Sequence, residues 1–170
     1  MPANALEFIS IKGFRSIASI EKLQLNPINI IIGPNGSGKS NFIGAFSFLH
    51  SIREGRLQDY VTKAGGAESL LHFGSKTTKE ISFHLSFLDQ ANQYELKLAS
   101  TEDDGLFPAK EYTYFWDKPK HSDPYYKALL PMDRRLEAGI SNPRLVGTAS
   151  WVSMRLGDWR VYHVHDTSSN

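Results

Sequence analysis

Apolar residues along the chain change their period several times, and each change marks an element. Leu6 to Ile11 is dense in apolar and β-branched residues and stops at Lys12-Gly13, where glycine permits a turn, so it predicts a strand. From about Ile17 to Leu25, Leu23 and Leu25 alternate with Lys22 and Gln24. This predicts a second strand, closing a hairpin with the first through Phe14-Arg15-Ser16. Pro27 ends that segment. Ile28-Asn29-Ile30-Ile31-Ile32 is nearly all β-branched, the composition of a strand buried on both faces, and a glycine-rich stretch follows at once. Phe42, Phe46, Leu49 and Ile52 then recur at helical spacing and predict an amphipathic helix from about Lys39 to Arg53, ending near Gly55.

Period two takes over further on, where Ile81, Phe83, Leu85 and Phe87 alternate with Ser82, His84 and Ser86. Tyr94, Leu96 and Leu98 repeat it. So do Tyr112, Tyr114 and Trp116, after a polar loop at Thr101 to Pro108. The pattern predicts an antiparallel meander over residues 78–117, with the aromatic stripe packed into its core rather than offered to bases. Between the two regions, Arg56 to Gly74 has no clean period: Gly65-Gly66 breaks it, and Ala67 to His72 predicts one short helical turn. Pro124 to Gly139 and Arg144 to Arg155 read as helical, with Arg134-Arg135 on a solvated face, and Trp159 to Val164 reads as a strand. The expected fold is therefore α/β, with a mixed central sheet and an added antiparallel β layer, in one domain of residues 1–170.

Composition narrows the setting. A chain of 170 residues with 41% hydrophobic and 22% charged content suits one globular domain. No apolar run reaches the roughly 18 residues of a membrane span, and Met1 to Leu6 lacks the form of a signal peptide, so the expected location is the cytoplasm, without membrane contact. The absence of cysteine excludes disulfides and thiolate metal sites. A formal charge of +1, with eight Lys or Arg against five Asp or Glu from Asp117 to Arg160, is too slight an excess to argue nucleic-acid binding.

The chemistry is concentrated in Gly33-Pro34-Asn35-Gly36-Ser37-Gly38-Lys39-Ser40, which fits the phosphate-binding pattern G-x-x-x-x-G-K-[ST] between a strand and a helix. Glycines let the backbone approach an anion, so that successive N–H groups from about Gly36 to Asn41 can point at phosphate. A helix N-terminus adds roughly half a positive charge. The pattern assigns Lys39 to the β- and γ-phosphates as the catalytic lysine, Ser40 to magnesium, and Asn41 to a phosphate oxygen, with Pro34, Asn35, Gly36, Ser37 and Gly38 completing the cradle. The expected ligands are ATP and Mg2+.

Two stretches together resemble the RecF, RecN and SMC branch of the ABC-type ATPases, often grouped under the AAA label in bacteria. They are Ile9-Ser10-Ile11-Lys12-Gly13-Phe14-Arg15-Ser16 and, about 17 residues on, Ile32 through the loop to Ser40-Asn41-Phe42-Ile43. Trp159 to Ser168 also resembles a segment of a bacterial subgroup. The resemblance implies the N-terminal half of a P-loop ATPase head, with Arg15 near phosphate or base. It implies a nucleotide site completed across a head-to-head dimer, in assemblies that serve DNA repair, chromosome maintenance or phage defence, where DNA contact comes through the full assembly.

Hydrolysis in such heads also needs a Walker B Asp on magnesium and an adjoining Glu to handle water. Asp89, at the end of Leu85-Ser86-Phe87-Leu88, is followed by Gln90, and Val161 to Asp166 is interrupted by His163 and His165. His163, His165 and Asp166 suggest a metal site, but only the two histidines share a strand face and no third ligand stands at useful spacing. The signature motif is absent too, as is the Asn-Lys-x-Asp of GTPases. The chain thus reads as the front of a head that hydrolyses ATP when a missing C-terminal half or second subunit is supplied. The alternative is a non-catalytic nucleotide-binding module that controls association with a partner.

Overall fold

The computed structural model describes residues 6–124, 126–131 and 136–162. Leu6–Phe14 (β1) pairs antiparallel with Ile17–Gln24 (β2), and the register Phe14↔Ile17 leaves Arg15 and Ser16 as a two-residue turn. Glu80–Phe87 (β3) takes the other edge of β1, and Asn92–Ser100 (β4), Leu106–Phe115 (β5) and Tyr126–Leu129 (β6) follow as a meander. The order is β2-β1-β3-β4-β5-β6, with every pair antiparallel.

Alternation along these strands sorts the two faces. One cross-strand row runs Ile11, Phe83, Leu96, Glu111, and the next runs Ile9, Leu85, Tyr94, Thr113; all eight residues are buried. The opposite face carries Lys12, Ser82, Lys97 and Lys110 in one row. Helices cover the apolar face. Lys39–Arg53 (α1) buries Phe42, Ala45, Phe48, Leu49 and Ile52, the spacing of a single helical stripe. Phe48 stacks on Phe14 with centroids 5.4 Å apart and meets Phe83 at 6.1 Å, so one aromatic cluster joins β1, α1 and β3. Each of those rings contributes roughly 1.5–3 kcal/mol by leaving water. Leu57–Ala64 (α2), Ala67–Leu70 (α3) and Gly147–Gly157 (α4) complete the layer.

Four expectations need correction. The sheet is wholly antiparallel among the described residues, not mixed, because Ile28–Ile32 joins no ladder: β1 already has β2 and β3 on its two edges. The Tyr112 and Tyr114 stripe lies outside the core. The ladder sets Glu111 opposite Leu96 and Thr113 opposite Tyr94, which turns the tyrosines to the polar face, where Tyr114 donates to Glu95 at 2.6 Å and Lys127 lies 3.7 Å from the Tyr112 centroid. Trp116 follows β5, half-buried, and its indole N–H donates to the His121 carbonyl. Where a helix was expected from Pro124 to Gly139, Tyr126–Leu129 forms β6, and Gly139–Ser141 is a 3-10 turn. Trp159 to Tyr162 is not a strand, and Arg134 and Arg135 lie outside the described residues.

Glu111 explains how the register tolerates a buried acid. Its carboxylate accepts from the Tyr94 hydroxyl at 2.7 Å and from the Gly139 and Ile140 N–H groups at 2.6 and 2.9 Å. Burial holds this carboxyl above the usual range, while the three donors draw it back. Glu137 works similarly, accepting the Leu57 N–H at 2.8 Å and the Gln58 N–H at 3.1 Å and so capping α2. Glu111→Gln would turn an amide donor toward groups that are already donors. Urea denaturation should show a stability loss of about 2–3 kcal/mol for Glu111→Gln and a smaller one, about 1 kcal/mol, for Tyr94→Phe.

Candidate functional site

Residues 33–38 enter α1 directly, and the loop's shape follows from its glycines. Gly38 precedes the helix at φ 91°, and a Cβ there would lie 2.9 Å from the Ser16 hydroxyl. Side-chain-bearing residues rarely take that conformation, and none would fit against the turn. The first helical bond runs from the Phe42 N–H to the Gly38 carbonyl at 2.9 Å, so the N–H groups of Lys39, Ser40 and Asn41 have no intrahelical acceptor. Among the described residues no side chain caps this helix start, and no acidic residue occupies its first turn. The partial positive charge of the helix is therefore unopposed.

Lys39 folds back over the loop, its ammonium donating to the carbonyls of Gly33 and Pro34, both at 2.7 Å, and to Ser37 Oγ at 3.4 Å. Pro34, Asn35, Gly36 and Ser40 are exposed at the same end of α1. The Asn41 amide donates to Ser16 Oγ at 2.7 Å and ties the helix to the β1–β2 turn. Arg15 belongs to that turn, adopts φ 50°, and has a buried Nε without a hydrogen-bond partner. The Arg15 N–H donates to the Leu70 carbonyl at 2.7 Å, the Arg15 carbonyl meets His72 Nδ1 at 2.7 Å, and the His72 N–H donates to Gly13 at 3.0 Å. Arg15, Gly38, Lys39, Ser40 and Asn41 thus form one cluster through Ser16. The sequence places Ser16 in the turn and at the end of the stretch that carries the family resemblance, but nothing in its local pattern marks it as a support for the loop.

The donor set fits a polyphosphate with a divalent cation. An uncapped helix start, glycines where a Cβ would intrude, and a lysine over the loop suit the phosphates, and the exposed Ser40 hydroxyl is the group that would hold magnesium. The carboxylate candidate lies elsewhere. Asp89 sits in the β3–β4 turn, accepting the Lys118 ammonium at 2.7 Å, and its N–H donates to Glu7 near the start of β1. Ser16 and the loop are at the other end of that nine-residue strand, roughly 25 Å away at strand rise. Among the described residues no three His, Asp or Glu gather to hold a metal. His163, His165 and Asp166 lie outside the described residues, as does most of Val161 to Asp166.

Comparison with known proteins decides the family. Residues 28–148, more than half of the chain, match the family model described as "AAA domain, putative AbiEii toxin, Type IV TA system". The chain belongs to that AAA-domain family. It is also 36% identical over 63 residues to the "Chromosome partition protein Smc" of Mycolicibacterium paratuberculosis, covering 33% of this chain and 5% of the relative. It is 30% identical over 95 residues to the "DNA replication and repair protein RecF" of Magnetococcus marinus, covering 55% and 25%. The resemblance to RecF- and SMC-like ABC-type ATPases therefore stands, as a partial match. The chain spans a quarter or less of these two relatives' lengths. No helix among the described residues is long and apolar enough to cross a membrane.

Gly38→Ala tests the loop of this AAA-domain chain. The substitution should lower stability by about 1–3 kcal/mol and weaken inorganic tripolyphosphate at least about ten-fold in isothermal titration, because the new methyl displaces Ser16 and the amides beside it.

Proposed function

We propose that this chain is the Mg2+-ATP-binding part of a RecF/SMC-like ATPase head in the cytoplasm. The observation that carries the reading is the uncapped start of α1 with Lys39 folded over the glycine loop, in a chain of the AAA-domain family. On this reading the N–H groups of Lys39, Ser40 and Asn41 and the Lys39 ammonium hold the β- and γ-phosphates. Ser40 would hold magnesium, which would supply positive charge to balance the phosphates. Arg15 contributes a second cation from the turn. Lys39 exchanges carbonyl partners for phosphate oxygens, a charge-assisted and therefore stronger set of bonds.

The head is completed by another segment. Ile28, Ile30 and Ile32 are 82%, 83% and 87% exposed on a stretch of strand composition, a row of β-branched side chains left open by the described residues. We assign that row to pairing with strands from the rest of a head, or from a second subunit in a head-to-head dimer. DNA contact, and work in DNA repair, chromosome maintenance or phage defence, would belong to the full assembly. The carboxylates for hydrolysis would come from the same source, since Asp89 lies at the far end of β1. A second reading rests on that same distance: the chain is a non-catalytic module in which ATP controls association.

Titration with ATP and Mg2+ should give binding that Lys39→Ala weakens about 10- to 100-fold. Phosphate release should be absent from the chain alone. Turnover that rises with protein concentration and is lost in Lys39→Ala would instead place a catalytic carboxylate within this chain.

A further inference from the structure

Phe73 is the exception among the ten phenylalanines: the other nine are buried or half-buried, whereas Phe73 is 80% exposed. Its φ of 57° is left-handed, an unfavourable conformation for a residue with a bulky side chain, and the flanking bonds hold it there. On one flank the His72 N–H donates to Gly13 at 3.0 Å, and the Thr78 hydroxyl donates to the His72 carbonyl at 2.5 Å. On the other, the Gly74 N–H donates to Leu71 at 3.1 Å, and Glu68 accepts both the N–H and the hydroxyl of Ser75. The turn sets the backbone beneath a large ring that meets the His72 imidazole at 4.4 Å and otherwise stands largely in water, which stability alone does not call for.

That ring borders an open recess of about 640 Å³, lined also by Arg15, Asn41, Glu68 and Ser69. Asn41 belongs both to the recess and to the first turn of α1, the helix that the glycine loop enters. Both signs of charge line it: Arg15 is one lining residue, and the Glu68 carboxylate stands beside Gly74, next to Phe73, while Lys39 begins the helix that carries Asn41. The Ser75 hydroxyl and N–H hold Glu68 below the usual carboxylate range and so keep it anionic. Phosphate is favoured at the loop end and repelled at the Glu68 end, where an uncharged aromatic group fits.

We propose that Phe73 is a stacking platform for the base of the bound nucleotide, with this recess as its nucleoside subsite. The proposal rests on the loop being a triphosphate site. A preset ring loses little entropy on binding, and stacking accepts any base face, so the platform adds affinity without choosing between purines.

Isothermal titration of the full chain with Mg2+, comparing ATP with inorganic tripolyphosphate, separates the two ideas. Phe73→Ala should weaken ATP about ten-fold and leave tripolyphosphate unchanged, and Phe73→Trp should retain ATP affinity. Lys39→Ala should weaken both ligands. ATP affinity unaltered by Phe73→Ala, with Lys39→Ala still damaging, overturns the platform and leaves the loop reading intact. Loss of tripolyphosphate in Phe73→Ala also overturns it, by making the ring a support for the loop. Indifference of both ligands to Lys39→Ala overturns the loop reading itself.

Discussion

The two-residue turn between β1 and β2 is the joint on which the functional end of the molecule depends. Its backbone and Ser16 side chain bond in three directions: to α3 through Leu70, to the following turn through His72, and to the start of α1 through Asn41. Gly38 closes against the same serine. The glycine loop therefore does not depend on its own contacts for position, which for a stretch of exposed glycines would be a poor anchor. Below the joint, Phe14 stacks on Phe48 and packs near Phe83, so the turn is itself fixed to α1 and the sheet by the aromatic cluster. Polar bonds set the orientation of the site, and ring burial makes that orientation rigid.

The opposite flank of the fold uses a different device. Glu111 and Glu137 are buried acids that accept N–H groups from 139–140 and 57–58, so β5, the 3-10 turn and α2 are joined by carboxylates as well as by the buried Leu57, Leu106 and Ile140. Such links are unforgiving, because losing one partner leaves a buried charge or donor unmatched. They also specify direction, as apolar contacts do not. From there Asp104 accepts the Glu68 N–H and, by its carbonyl, takes the Ala67 N–H, carrying the same frame to α3 beside the recess.

Much of this was legible because local pattern and local structure agree. The apolar stripe of residues 42–52 and the alternation of 81–87 each report the face that packs, and the glycine loop carries its own conformational requirement. Legibility failed where a distant partner decides. Tyr112 and Tyr114 look like a core stripe until the pairing with β4 sets Glu111 inward, an outcome that requires Tyr94, Gly139 and Ile140 to supply donors. Ile28–Ile32 has the composition of a buried strand, and its composition anticipates neighbours that the described residues do not provide. In the candidate site, Lys39 and Ser40 stand out by motif and Arg15 by the family resemblance, whereas Ser16 and Phe73 gain meaning only when the turn and the loop are brought together.

That contrast bears on how affinity would be divided. A triphosphate is held by backbone N–H groups and a cation, which any sequence keeping the glycine spacing can present. Such contacts do not depend on the base. Discrimination of a nucleotide from free polyphosphate must come from groups beyond the loop, and the candidates must be fixed before binding if they are to add affinity rather than spend it on ordering. Arg15 and Phe73 meet that condition: both occupy left-handed backbone positions on turns bonded to each other through Gly13, His72 and Leu70. The backbone cost of those conformations is met by the bonds of the joint, so the same network that positions the loop also holds the two side chains that face the recess beside it.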